Sequence, residues 1–529
     1  MITRRQLLKL GAFSPGVALA LTLLGLGTAR SMEEQPAAPA TANAHGGHGA
    51  ATTGRIVAAP AASPSFRPFT IPLPIPATLQ PTARDETTDY YDLTMRERQV
   101  EILPGLKTAV WGFDGAFPGP TIRAVRGRQA VIRQTNMLPE EMSVHLHGGH
   151  QSADSDGHPN DAIAPGATRE YRYPNAQLAA TLWYHDHAML KTAPHIWKGL
   201  AGFYLLDDPA EAALNLPSGD YDVPLMIQDR RFNADGSFYY PPAGSPSALN
   251  GFSGDVLLAN GAPQPFLAVA NRKYRFRLLN GSNAQGYTFA LQQGDQTVPL
   301  TQIASDGGLL PAPVVRPALT LWQAERAEIV IDFAAFPLGT RLMLKNTAGA
   351  PGLDTVMRFD VVRAEAEPSA LPAALRPFVP LDPIAATTTR TFYTALDQST
   401  GKWTISGNTY DPARIDAQPI LGTTEIWQFV NVDTIVHPMH LHHSPVQILD
   451  RNGVAPTLAS GEVGWKDTVA VQPGETVRVL VQFTGYLGTY VFHCHHLEHE
   501  DHDMMGQFEV IYGRRAIPRK RGNKTDLGE

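Results

Sequence analysis

Short runs in which β-branched or aromatic residues alternate with polar ones recur along most of this chain. QAVIRQTN (129–136), KYRFRLLN (273–280), AEIVIDF (327–333), TEIWQFVN (424–431) and TVRVLVQF (476–483) all follow a spacing near two. That is the period of a strand with one face turned to a core. Gly, Pro, Asn or Asp bounds each run, and long stretches with helical spacing are scarce. The pattern predicts an all-β chain of several β-sandwiches in series. Residues 202–230 read as the last strand of one sandwich, a connector and the first strand of the next. Residues 365–383 form a proline-rich linker. The expected domains are therefore 83–215, 216–375 and 376–515.

Length and composition agree with that division. A chain of 529 residues has room for about three or four domains. Its 44 prolines and 46 glycines suit a loop-rich β protein. The formal net charge of −7 leaves no basic footprint for nucleic acid.

The two ends read differently from the middle. Arg4 and Arg5 in TRRQLLKLG precede an apolar stretch from Val17 to Gly27. That stretch is shorter than the roughly 20 residues a membrane span needs. Residues 1–31 are thus expected to be an export signal similar to the twin-arginine type, read by that export machinery, with the protein periplasmic or secreted. Residues 32–82, rich in Ala and Pro, read as a linker or extended arm, which carries His45 and His48. Residues 516–529 form a basic tail. No other segment is long and apolar enough to anchor the chain in a membrane, and a monomer is expected.

Histidine carries the chemistry. Nine of the 18 histidines lie between His437 and His502, and the single cysteine, Cys494, sits among them. A lone cysteine in an exported chain is a reactive thiol or a metal ligand. Four clusters stand out: His145-Leu-His147, His185-Asp-His187, His437-Pro-Met-His440-Leu-His442, and His493-Cys494-His495 followed by His499 and Met504. On a strand, residues two apart share a face and residues one or three apart do not. His145, His147, His185, His187, His440, His442, His493 and His495 can therefore converge on one site. His437 and Cys494 face the other side, where His499 and Met504 can join them. Two imidazoles, a thiolate and a weak thioether are the ligand set of a blue-copper electron-transfer centre. Zinc suits any one such cluster, but four clusters of complementary parity around the only cysteine point to copper.

These motifs resemble the multicopper oxidases, and among them the group of bacterial spore-coat laccases and bilirubin oxidases. The resemblance covers most of the chain after about residue 85. It rests on VHLHGGHQSADSDGHP, WYHDHAM, HPMHLHHSPVQIL and HCHHLEHEDHDMM, with KYRFRLLNGSN and IASDGGLLP in the middle. It implies three cupredoxin-like β-sandwich domains of Greek-key topology in series and four copper ions. His437, Cys494, His499 and axial Met504 would hold type 1 copper, and His145 and His440 type 2. His147, His185, His187, His442, His493 and His495 would hold the type 3 pair. It also implies oxidation of a small-molecule donor coupled to reduction of O2 to water. Glu500 and Asp156 match the acidic positions expected to supply protons, although either can instead orient a ligand imidazole. His443, His496 and His502 are read as neighbours of ligands or as exposed, and Asp306 as a turn residue. His150, His158 and His195 lie near these segments without being required.

Three functions compete at this stage. The leading one is a laccase-like oxidase of phenols, aromatic amines or bilirubin-like pigments. The second is a metallo-oxidase of Cu(I) or Mn(II), against which stand only 12 methionines and no methionine-rich run. The third is a non-catalytic copper electron carrier, against which stands the complete set of cluster ligands.

Overall fold

The computed structural model describes residues 61–513. The expected signal at 1–31, His45, His48 and the tail at 516–529 lie outside the described residues. Three β-sandwiches follow one another along the chain, and all five alternating runs quoted above are strands. In the first sandwich, a five-stranded sheet built on Thr88–Val100 and Gln129–Asn136 packs on a four-stranded sheet. The latter has the order Gly119–Val125, Ala201–Asp207, Ala180–Asp186, Val144–His147. Tyr91, Ile132, Leu146 and Leu182 meet in its core. The second pairs a seven-stranded with a six-stranded sheet around Phe276, Ile329, Leu344 and Phe359. The third pairs a five-stranded sheet with a four-stranded one ordered Thr468–Val471, His437–Leu441, Gly488–Cys494, Met505–Val510. Its core contains Trp427, Val479 and Phe492, together with Cys494 and Met504.

One device recurs in all three. The first long strand runs parallel to the next long one: Thr88–Val100 to Gln129–Asn136, Asp222–Arg230 to Lys273–Asn280, and Ala386–Asp397 to Thr424–Asn431. Parallel neighbours need a crossover rather than a hairpin, which is how a Greek key differs from a meander. In each case the second strand ends on a buried asparagine whose amide closes the loop beyond it. Asn136 Nδ2 donates to the Glu140 and Ile163 carbonyls at 2.7 and 2.8 Å. Asn280 Nδ2 donates to Gln285 and Leu321 at 2.8 and 3.1 Å, and Asn431 Nδ2 to Ile435 and Val471 at 2.7 and 2.9 Å. Each Oδ1 accepts an amide two residues on, from Leu138, Ser282 and Asp433 respectively. Asn431→Ala leaves those buried groups without partners, at about 1–3 kcal/mol apiece. A clear fall in the thermal midpoint is therefore expected, beside little change for exposed Asn408→Ala, and scanning calorimetry of the pair checks it.

The segments between sandwiches are packed against them. Residues 61–82 form an extended arm in which the Leu73 amide donates to the Phe266 carbonyl and the Leu79 amide to that of Thr121. Leu73 fills part of the second core. In the proline-rich stretch Arg376 bonds Glu211 and the carbonyls of Ala179 and Gly307. No helix among the described residues is long and apolar enough to cross a membrane.

Candidate metal centres

Strand register delivers the histidines. Val144–His147 pairs with Ala180–Asp186 so that His145 lies opposite His185 and His147 opposite Trp183. His437–Leu441 pairs with Gly488–Cys494 so that His440 lies opposite His493 and Met439 opposite Cys494. Parity then sends Cys494 into the third core while its two neighbours turn the other way. The eight-histidine group is fully buried. Within it, ligand atoms of three trios lie within 4.8 Å of one another: His145/His440/His442, His147/His185/His495 and His187/His442/His493. A fourth trio, His437/Cys494/His499, forms on the opposite side.

The hydrogen bonds decide which ring nitrogens are free. His145 Nδ1 donates to the Asp156 carbonyl at 2.6 Å and His440 Nδ1 to the Asp467 carbonyl at 2.9 Å. Their Nε2 atoms, which must carry lone pairs when the rings are neutral, face each other at 3.3 Å. His442 Nδ1 lies 2.7 Å from Asp156 Oδ2, and His493 Nδ1 lies 3.0 Å from Glu500 Oε2. The Nε2 atoms of His442 and His493 lie 3.2 Å apart and those of His187 and His493 3.1 Å apart, although His187 Nδ1 has no partner to fix its tautomer. The lone pairs of His145 and His440 do not point at one another at 3.3 Å without a cation between them. A proton is not that cation, because burial and the neighbouring imidazoles hold the rings of His145, His440 and His442 neutral far below the ordinary histidine range. Burial likewise takes His185 down to about 4 and His187 to about 3. Neutral imidazole is the metal-binding form. His147 inverts the pattern, with Nε2 on Asp467 at 2.9 Å and Nδ1 buried without a partner. The donor set therefore fits metal ions.

The fourth trio has a different character. Cys494 Sγ lies 3.5 Å from His437 Nδ1 and 3.9 Å from His499 Nδ1, and it accepts the His496 amide at 3.4 Å. Burial pushes this thiol up, so a thiolate needs a bound cation beside it. Soft sulfur with two imidazoles selects copper among the common metals. Met504 is fully buried in the same core, and its carbonyl accepts the Cys494 amide at 3.1 Å. The helical turn Leu497–Glu500 brings His499 back to the sulfur. Its ring is held between the Trp403 indole at 3.9 Å and the His496 imidazole at 3.7 Å. Trp403 Nε1 donates to the Leu249 carbonyl, so the short helix Pro246–Asn250 of the second sandwich covers this centre. His496, read from sequence only as a neighbour, is thus buried and packs directly on His499.

Glu500 bridges His493 and His187, with Oε1 3.6 Å from His187 Nδ1. Burial pushes its carboxyl up, but the two imidazoles outweigh that and hold it ionised, down to about 2. Burial instead takes Asp156 up to about 8, against the amide bond from Gln151. Both carboxyls therefore touch ligand-type imidazoles. Asp306 lies in a turn, as expected, but it is also a fully buried ion-pair partner of Lys466 at 2.9 Å. Asp467, Arg326, Trp403 and the covering helix carry no spacing signal in the sequence that marks them as part of the site. His195 bonds Asp186, and His150 bonds the His443 carbonyl; neither joins a trio.

Two family models, both described as multicopper oxidase, match residues 94–211 and 384–513. A laccase of Bacillus subtilis is 37% identical over 509 residues, covering 84% of this chain and 98% of that protein. A bilirubin oxidase of Albifimbria verrucaria is 38% identical over 477 residues, covering 85% of this chain and 82% of the relative. Among solved structures, a laccase from Pediococcus acidilactici superposes with a TM-score of 0.77 at 32% identity. It covers 84% of this chain and 96% of its own.

Proposed function

This chain belongs to the multicopper oxidase family, and we propose that it is a laccase-like enzyme coupling one-electron oxidation of phenols, aromatic amines or bilirubin-like pigments to reduction of O2 to water. As in that family it is an oxidoreductase that uses oxygen, and its sandwiches are cupredoxin-like. Four coppers are assigned. His437, Cys494, His499 and Met504 hold type 1, and His145 and His440 hold type 2. The trios His147/His185/His495 and His187/His442/His493 hold the type 3 pair. The observation that carries this reading is the His145–His440 pair, whose Nε2 atoms face each other at 3.3 Å while both Nδ1 atoms already donate to carbonyls. Bound copper would supply one-electron redox chemistry at the first site and four-electron chemistry at the second.

The chain's own residues do the rest. Cys494 ties the sites together: its sulfur is a ligand on one side, and its backbone continues directly into His493 and His495 on the other. Trp403 and His496 hold the His499 ring in place. Glu500, 3.0 Å from His493 Nδ1 and 3.6 Å from His187 Nδ1, two rings of one trio, is placed to hand protons to reduced oxygen. Asp156 holds His442 and carries the second proton-capable carboxyl of the site. Export by the twin-arginine route, a periplasmic or extracellular location, the absence of a membrane anchor and a monomeric state are further parts of this proposal. An organic donor is preferred over a metal ion, because the relatives above are named for laccase and bilirubin oxidase activity and the chain has no methionine-rich run.

Visible spectroscopy and oxygen uptake of the copper-loaded protein test the reading. An intense thiolate–copper band with O2 consumption on a phenolic or diamine donor is expected; a colourless protein with full copper content overturns it. The axial assignment has its own test. A coordinating thioether stabilises Cu(II), so Met504→Leu raises the type 1 potential and extends activity to donors that are harder to oxidise. A redox titration of the blue band that finds the same potential in both proteins removes Met504 from the ligand set.

A further inference from the structure

The second sandwich brings no imidazole to the metal centres, because residues 216–375 contain no histidine. Yet one of its side chains ends beside two candidate ligands. Arg326 opens the strand Arg326–Asp332 and is fully buried. Its Nε donates to the Thr181 carbonyl of the first sandwich at 2.9 Å. Nη1 donates to the Ala324 carbonyl at 3.1 Å and to Asp467 Oδ1 at 2.6 Å. Nη2 donates to the Asp306 carbonyl at 3.2 Å and to Asp467 Oδ2 at 2.5 Å. Those five bonds use all five guanidinium N–H groups and touch all three sandwiches. The two-pronged contact fixes the plane of the Asp467 carboxylate as well as its position.

Asp467 is what the guanidinium positions. Its Oδ1 receives His147 Nε2 at 2.9 Å, and its carbonyl receives His440 Nδ1 at 2.9 Å. Thr468, next in the chain, places its hydroxyl 3.0 Å from both His147 Nε2 and Asp467 Oδ1. His147, His440 and Asp467 also bring their ligand-type atoms within 4.8 Å of one another. A bond to the outer nitrogen of a ligand imidazole fixes its tautomer and its rotation. Here one carboxylate residue does this for rings assigned to two different coppers. Lys466 does not compete for that carboxylate, because its amine is taken by Asp306 and Glu325 at 2.9 and 3.2 Å.

We infer that Arg326 and Asp467 form a positioning pair through which the histidine-free second sandwich sets the orientation of His147 and His440, and with it the affinity of the copper sites those rings serve, type 2 and one of the type 3 pair. This rests on the copper assignment proposed above. Arg326 fixes Asp467, Asp467 fixes the two rings, and the type 1 ligands on the far side of the strand are untouched by the chain of contacts.

The test uses copper-loaded full-length protein, with Asp467→Asn to remove the charge at constant shape and Arg326→Lys to keep the charge without the fork. The readouts are the type 2 electron paramagnetic resonance signal, the blue band and copper retention against a competing chelator. Both variants are expected to keep the blue band at full intensity. Both are expected to show a weakened or shifted type 2 signal, with type 2 copper lost at roughly 10–100-fold lower chelator concentration. An unaltered type 2 signal and retention in both variants overturns the inference. So does parallel loss of type 1 and type 2 copper in both, since that makes the pair a support of the fold and not of one site. A wild-type protein that has no type 2 signal at all overturns instead the copper assignment on which the inference rests.

Discussion

Cys494→Ser is expected to abolish the intense visible band and to lower kcat for any one-electron donor by on the order of 10³-fold or more, while most of the copper stays bound. The reason lies in the position of this residue. Its sulfur is the only soft, anionic donor among the described residues that form the fourth trio, and a serine hydroxyl neither ionises there nor matches copper in softness. The same residue is flanked in the backbone by His493 and His495, whose rings belong to two other trios. Substitution therefore removes the proposed type 1 site and the proposed through-bond route out of it in one step. The other trios keep every imidazole. Copper content should fall by about one ion per chain, and circular dichroism should remain that of the β-sandwich fold. A variant that stays blue, or one that oxidises donors at the parent rate, contradicts the assignment of the cysteine.

Glu500→Gln is expected to slow oxygen reduction by about 10²–10⁴-fold, the usual contribution of a positioned proton donor or acceptor. The amide keeps the size of the carboxylate and can still accept from His493 Nδ1, which lies 3.0 Å away. It cannot carry a proton. The proposed donor-side centre lies on the other face of the strand, so anaerobic bleaching of the blue band by a phenolic donor should proceed at the parent rate. Stopped-flow bleaching beside oxygen-electrode turnover separates the two half-reactions. Equal slowing of both, or loss of copper from the Gln variant, makes Glu500 an orienting residue and takes the proton role away from it.

Much of this was legible because strand parity is a strict rule. Once 129–136, 424–431 and their like read as strands, the two-residue spacing of His145/His147, His185/His187, His440/His442 and His493/His495 placed them on common faces. Cys494, between two ligands, had to point the other way. The structure puts His145 opposite His185 and His440 opposite His493, as such a convergence needs. What parity cannot show is which elements distant in sequence lie behind a ligand. Asp467 is 27 residues beyond His440 in a stretch with no distinctive spacing, and Arg326 looks like any arginine at the start of a strand. Their pairing across 141 residues exists only in the folded chain. Asp306 was legible as a turn but not as a buried ion-pair partner, because a turn motif carries no information about depth. The same holds for His496. Its position beside Cys494 was plain, but its stacking on His499 depends on the turn at Leu497–Glu500 and on the covering helix Pro246–Asn250. The closing asparagines are the reverse case. Asn136, Asn280 and Asn431 each end a run that reads as a strand, so the repeat was present in the sequence, and only their shared amide bonding reveals its purpose.

On the proposed function, donor oxidation at one face of the third sandwich is coupled to complete reduction of oxygen between the first and third. The most direct measurement is the stoichiometry of turnover: moles of a one-electron phenolic donor oxidised per mole of O2 consumed by the copper-loaded protein, with peroxide assayed in the same cell. Four donors per O2 and no peroxide are expected. A blue, copper-replete protein that consumes no oxygen with any donor, or one that releases peroxide at two donors per O2, would contradict that coupling.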